Sequence, residues 1–146
     1  MAIEGVEAVI GELGIDPSSA RVECEGSETR FALRRGSALV LVAIHPPAGR
    51  DAEGTLRIMA PVVASGGAED RLAMYEHLLR LNATGLRGLA FGLLDDEIVL
   101  VIERGLLDLD ASEIRAALGA IGEAADHYDD ELADRFGTER ASDRDR

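Results

Sequence analysis

Residues 75–104, YEHLLRLNATGLRGLAFGLLDDEIVLVIER, decide the fold. The leucine spacing through Leu81 marks the end of a helix, and Thr84 to Arg87 turns the chain. Gly88–Leu94 and Glu97–Glu103 then form a hairpin joined at Asp95-Asp96. Leu89, Phe91 and Leu93 share one face of the first strand; Ile98, Leu100 and Ile102 share one face of its mate. No other part of the chain has so dense an apolar content.

Downstream, Asp110-Ala111-Ser112-Glu113 has the spacing of a capping box, with Asp in the place of Ser or Thr. It opens a helix that runs to about Phe136 and stops at Gly137. Ile114, Leu118, Ile121, Ala125, Tyr128 and Leu132 form a seam along it. Residues 138–146, TERASDRDR, lack large apolar side chains and are expected to be a disordered charged tail, leaving one domain over residues 1–137.

Upstream of the block, the helix from Glu69 to Leu81 carries Leu72, Met74, Tyr75, Leu78, Leu79 and Leu81. At ~100° per residue these spread over roughly half the circumference. A helix on one sheet needs a stripe only about 100° wide, so a second contact surface is expected. Thr55–Val63 reads as a strand that lies at an edge or ends at Pro61, because proline cannot donate to a ladder. Pro46–Gly54 is a loop. Ser37–His45 is a strand apolar on both sides: Ala38, Val40, Val42 and Ile44 on one, Leu39, Leu41 and Ala43 on the other.

Ala20–Glu25 and Glu28–Arg35 alternate and form a hairpin around Gly26-Ser27. Residues 2–13 are a first helix with the stripe Ile3, Val6, Val9, Ile10 and Leu13, stopped at Gly14 and kept from resuming by Pro17. The order is α-β-β-β(-β)-α-β-β-α. Consecutive strands with flanking helices indicate an α+β domain on an antiparallel sheet.

A 146-residue chain that is 47% hydrophobic can build a core without a metal or disulfide. With 3% aromatics, that core must be aliphatic. The net charge of −13 repels phosphate backbones and anionic lipid, so neither nucleic acid nor membrane is an expected partner. All 15 basic residues are arginine, which removes any lysine chemistry. One cysteine, an acidic N-terminal segment and no long uncharged apolar run together predict a cytoplasmic protein.

Chemistry-bearing patterns are sparse. Cys24 lies between Glu23 and Glu25, whose charges disfavour a thiolate. His127 lies four residues from both Glu123 and Glu131 on one helical face, but metal sites usually draw a ligand from another element, and a solvated histidine is the plainer reading. Asp126, Asp130 and Asp134 repeat at four-residue spacing; a solubilising face outweighs a docking site for a basic partner. Ser65-Gly66-Gly67 precedes a helix and reads as a flexible turn. No catalytic residue, cofactor or metal is predicted. An acidic hydrolase with dispersed carboxylates is kept as the enzymatic alternative.

The second half resembles the type III secretion chaperone-like superfamily, which includes class I secretion chaperones and YbjN-like proteins. Leu78-Leu79-Arg80-Leu81-Asn82, Gly88-Leu89-Ala90-Phe91-Gly92-Leu93, Ile98-Val99-Leu100-Val101 and Leu107-Asp108-Leu109-Asp110 with Glu113-Ile114 carry the resemblance. It implies a small, acidic, non-enzymatic protein, commonly a homodimer, that holds an extended client segment on apolar patches. The runner-up it implies is a YbjN-like regulatory or scaffolding domain that binds a folded partner. Leu72, Met74, Tyr75, Leu78 and Leu81 are the expected dimer contacts. Ile3, Val6, Ile10, Leu39 and Leu41 are the expected client contacts.

Overall fold

The computed structural model describes residues 2–66 and 68–144. Six antiparallel strands form one sheet in the order β1-β2-β3-β4-β6-β5. They are β1 (Arg21–Val22), β2 (Thr29–Arg35), β3 (Ala38–His45), β4 (Thr55–Ala64), β5 (Ala90–Leu94) and β6 (Glu97–Gly105). The helices are α1 (Ala2–Glu12), α2 (Pro17–Ala20), α3 (Arg71–Thr84), α4 (Ala111–Phe136) and α5 (Ala141–Arg144). This is the α+β architecture read from the sequence, with two short helices added.

Alternation along the strands sorts the core. Phe31, Leu33, Val40, Val42, Ile44, Leu56, Ile58, Leu100 and Ile102 point to one face and are buried. The α4 seam covers them: Ile114, Leu118, Ile121, Ala125 and Leu132 are each at most 2% exposed, so this face is sealed along most of the helix. Val6, Val9 and Ile10 of α1 complete the same core. The two helices approach closely because Gly5 has no side chain; a Cβ there would stand 3.3 Å from Ile114 Cδ1.

The capping box forms as its spacing requires. Asp110 Oδ1 accepts the Glu113 N–H at 3.0 Å, and Glu113 Oε2 accepts the Asp110 N–H at 3.0 Å. Gly137 ends α4 in the left-handed region at φ 64°. The Ser112 hydroxyl, then the Glu113 N–H, hold the Asp110 carboxyl below its usual pKa. A pKa depressed on folding gives stabilisation that is complete above the unfolded value and fades as pH falls through the folded one. Asp110→Ala should therefore lower the melting temperature at neutral pH, and its gap to the parent should narrow as pH falls below about 4, the ordinary aspartate value. Thermal melts followed by circular dichroism at the two pH values check this.

Four expectations change. First, β4 is central, not an edge, and Pro61 survives there because β3 pairs with β4 only from Thr55 to Met59. A bulge between Pro61 and Val63 adjusts the ladder on the β6 side. Second, β1 has only two residues, and its partner register Val22↔Arg30 turns Val22 to the face opposite the core, where it is 42% exposed. Cys24 leaves the ladder and its Sγ donates to the Glu28 carbonyl at 3.1 Å.

Third, Pro17 begins α2 instead of preventing it, since a first-turn proline forfeits no helical bond. Fourth, residues 138–144 are not a disordered tail. Thr138 is buried and its hydroxyl donates to the Ala64 carbonyl, Ala64 N–H donates to the Glu139 carbonyl at 2.9 Å, and Arg140 bridges to Val63. Residues 145 and 146 of the expected tail lie outside the described residues.

Candidate functional site

The other face of the sheet is also apolar at its centre. Strand register places Ala32, Leu41, Met59, Val101 and Ala90 side by side across five strands. Ala32, Leu41, Met59 and Val101 are half-buried and Ala90 is exposed, while their neighbours along each strand face the core. Pro61, Val99 and Gly92 form the adjacent row across β4, β6 and β5. Strands spaced ~4.8 Å apart make such a row about 19 Å wide, the length of about six extended residues.

Charged residues border this apolar centre and are internally paired. Arg57 and Glu103 are cross-strand partners, with Arg57 Nε donating to Glu103 Oε1 at 2.8 Å. Glu28 lies between Arg30 and His45, with His45 Nδ1 at 2.8 Å. Paired charges at the rim leave the centre as the part that gains most from being covered.

A second apolar surface lies where α3 meets the edge strand β5. Tyr75, Leu78, Leu79, Asn82, Phe91, Gly92, Leu93 and Ile98 line a shallow groove of about 180 Å³. Leu79 is 68% exposed and Leu93 54%, and Leu72, two helical turns before Leu79, is 80% exposed. Such large side chains on one helix stripe and its neighbouring strand form a patch that one chain leaves open. Asn82 locks the two elements together: its Oδ1 accepts the Phe91 N–H at 2.7 Å and its Nδ2 donates to the Phe91 carbonyl at 3.2 Å.

These surfaces divide the residues expected from sequence. Leu39 and Leu41 stand on the open sheet face. Val6 and Ile10 do not: both are fully buried beneath α4, so the α1 stripe belongs to the core, with Ile3 and Leu13 half-buried at its ends. On α3, Leu72 is exposed, while Tyr75 and Leu81 are half-buried. Met74 and Leu78 pack in the chain's own core at 0% and 5% exposure; Met74 presents no surface, and Leu78 only the small part that lines the groove. Leu79, Leu93, Met59 and Val101, which the sequence did not single out as contacts, also stand on these two surfaces. The alternation Arg57-Ile58-Met59-Ala60 held a signal for Met59, masked by reading β4 as an edge.

The polar candidates have structural partners. Asp126 Oδ1 accepts from the Ser37 hydroxyl at 2.5 Å, Asp130 pairs with Arg140 at 2.6 Å, and Asp134 is exposed. Glu131 lies between His127 at 3.3 Å and His77 at 3.6 Å, tying α4 to α3, while Glu123 stays exposed. Among the described residues no three His, Cys, Asp or Glu side chains are grouped as metal ligands. Ser65 donates through N–H and hydroxyl to the Asp96 carbonyl, at 2.7 and 3.1 Å, so it fastens the β5–β6 turn. No helix among the described residues is long and apolar enough to cross a membrane.

A family model described as T3SS (YopN, CesT) and YbjN peptide-binding chaperone 1 matches residues 4–144. The chain belongs to that chaperone family. The match runs through the docked segment after Gly137, in keeping with its place in the fold. Solved structures share the family fold at low identity. The ExsC–ExsE complex aligns with a TM-score of 0.66 at 15% identity, covering 88% of this chain and 90% of that one. The Yersinia pestis type III secretion chaperone SycH, in complex with a stable fragment of YscM2, aligns at 0.56 and 18% identity over 86% and 97%. The HopA1–SchA chaperone–effector complex aligns at 0.56 and 8% identity over 87% and 91%. A comparison with curated proteins returns no match.

Proposed function

We propose that this protein is a non-enzymatic chaperone that holds an extended client segment on the open face of its sheet and works as a homodimer. The observation that carries the reading is the row Ala32, Leu41, Met59, Val101 and Ala90, an apolar centre left partly accessible inside a paired charged rim. Family membership and the chaperone–effector complexes among its structural neighbours support it. An extended peptide with alternating leucine and serine suits such a face, because its apolar side chains fall on one side. Titrating that peptide into the isotope-labelled protein should shift the amides of Leu41, Met59 and Val101. Shifts confined to other surfaces would refute the sheet face as the client site.

In this reading the homodimer contact lies on α3 and β5, supported by the exposure of Leu72, Leu79 and Leu93. Leu79→Asp tests this without unfolding the monomer, since Leu79, unlike Leu78, contributes little to the core. Sedimentation should show the parent as a dimer and the variant as a folded monomer. A parent that stays monomeric at high concentration removes the dimer and leaves the sheet-face reading intact. The YbjN-like alternative, docking of a folded partner, predicts protection of a broad area instead of a line of residues.

A further inference from the structure

β3 and β4 part company at one end. Their pairing ends at Leu41↔Met59, and beyond it a cleft of about 400 Å³ opens between the strands. Ala38, Leu39, Pro61, Val62 and Ala125 supply apolar walls. The cleft also reaches Asp129 of α4, which is only 7% exposed. Burial raises the Asp129 carboxyl above its usual pKa, opposed in part by the backbone N–H of Asp130. Arg140 spends its hydrogen bonds on Asp130 at 2.6 Å and Asp143 at 2.9 and 3.1 Å, while its charge still acts on Asp129 without a bond between them being formed. Asp129 lines the cleft, and a carboxylate that accepts from the Asp130 N–H has further acceptor lone pairs.

The shape and charge of this cleft select its occupant. Apolar walls accept a methylene stem, and a nearly buried carboxylate accepts a cationic head that donates hydrogen bonds. An anion would meet Asp129 and Glu97, both lining residues, in a protein of net charge −13. Arg144 also lines the cleft, and its charge is drawn towards Glu139, 3.9 Å away. Leu39 and Leu41 belong both to the cleft and to the open sheet face, so a chain crossing that face passes the opening. We infer that the fork between β3 and β4 is a subsite for an arginine or lysine side chain of the bound polypeptide, with Asp129 as its counter-ion. The source of the side chain rests on the peptide-binding reading; the pocket can be probed without it.

The probe is n-butylguanidinium, titrated into the isotope-labelled full-length protein, with n-butylurea as its neutral counterpart. The cation should shift the amides of Leu39, Ala125 and Asp129, and the urea should not. Asp129→Asn should weaken the cation roughly tenfold or more, the scale of a lost charge-assisted hydrogen bond. Asp134→Asn, exposed on the same helix, should leave affinity unchanged. No shift in the cleft, or equal affinity in Asp129→Asn, overturns the inference.

A second arm uses the leucine–serine peptide with one central arginine or, in its place, citrulline. The arginine form should bind several-fold tighter, and the difference should vanish in Asp129→Asn. If both forms shift Leu41 and Met59 with equal affinity, the subsite is overturned while the sheet-face reading stands. If neither peptide touches the sheet but n-butylguanidinium enters the cleft, the cation site stands and the client reading falls.

Discussion

Met59→Asp is expected to weaken binding of the leucine–serine peptide by roughly two orders of magnitude while the protein stays folded. Met59 sits at the middle of the apolar row, flanked by Leu41 on β3 and Val101 on β6. A peptide crossing the sheet must cover this position. Burying an aspartate there without a partner costs several kcal/mol or displaces the peptide, and a loss of about 3 kcal/mol is about a hundredfold in affinity. In the free protein the side chain is half-buried, so the new carboxylate can reach water, and the melting temperature should fall by only a few degrees. Isothermal titration alongside thermal melts separates the two effects. Undiminished binding to the variant would sink the sheet face as client site, whatever the state of the dimer. Arg30→Ala, at the rim, serves as the contrast: rim charges contribute little to affinity.

Periodicity and caps carried much of the fold. The α4 seam, its capping box and its terminal glycine are local patterns, and each appears where its spacing placed it. The β5–β6 hairpin is local too, with a two-residue turn in which Asp95 takes a positive φ of 53°. Strand order is not local. Pro61 argued for an edge because a proline cannot donate, yet nothing in residues 55–63 reveals that β3 diverges before reaching it. The same limit divided the candidate contacts. A helical stripe states that a face is apolar but not what covers it. On α1 the stripe faces α4, so Val6 and Ile10 vanish into the core. On α3 the broad arc is split, with Met74 and Leu78 inside and Leu72 and Leu79 outside. The wide arc states that the helix is apolar on more than one side without saying which residues stay exposed. Asp129 had no signal at all: within the run Asp126, Asp129, Asp130 and Asp134, only tertiary packing singles out the one that is buried.

Ending the chain at Gly137 should destabilise the protein by roughly 2–3 kcal/mol, where a disordered tail would contribute nothing. The charged composition of residues 138–144 hides backbone bonds, which leave no trace in side-chain chemistry. Truncation removes the Glu139 carbonyl from the Ala64 N–H and the Thr138 hydroxyl from the Ala64 carbonyl. Each bond contributes about 1 kcal/mol net. It also strips the segment that bridges Val63, a residue with no exposed surface at present, and newly wetted apolar area adds to the loss at about 25 cal/mol per Å². Urea denaturation should show a lower midpoint. Thr138→Val divides the effect, since it keeps the side-chain shape while removing the hydroxyl. It should reproduce about 1 kcal/mol of the truncation's loss. If Thr138→Val and the truncation destabilise equally, the backbone pairing of Glu139 contributes nothing, and one side chain alone fastens the segment to β4. If neither moves the midpoint, residues 138–144 are not part of the cooperative fold.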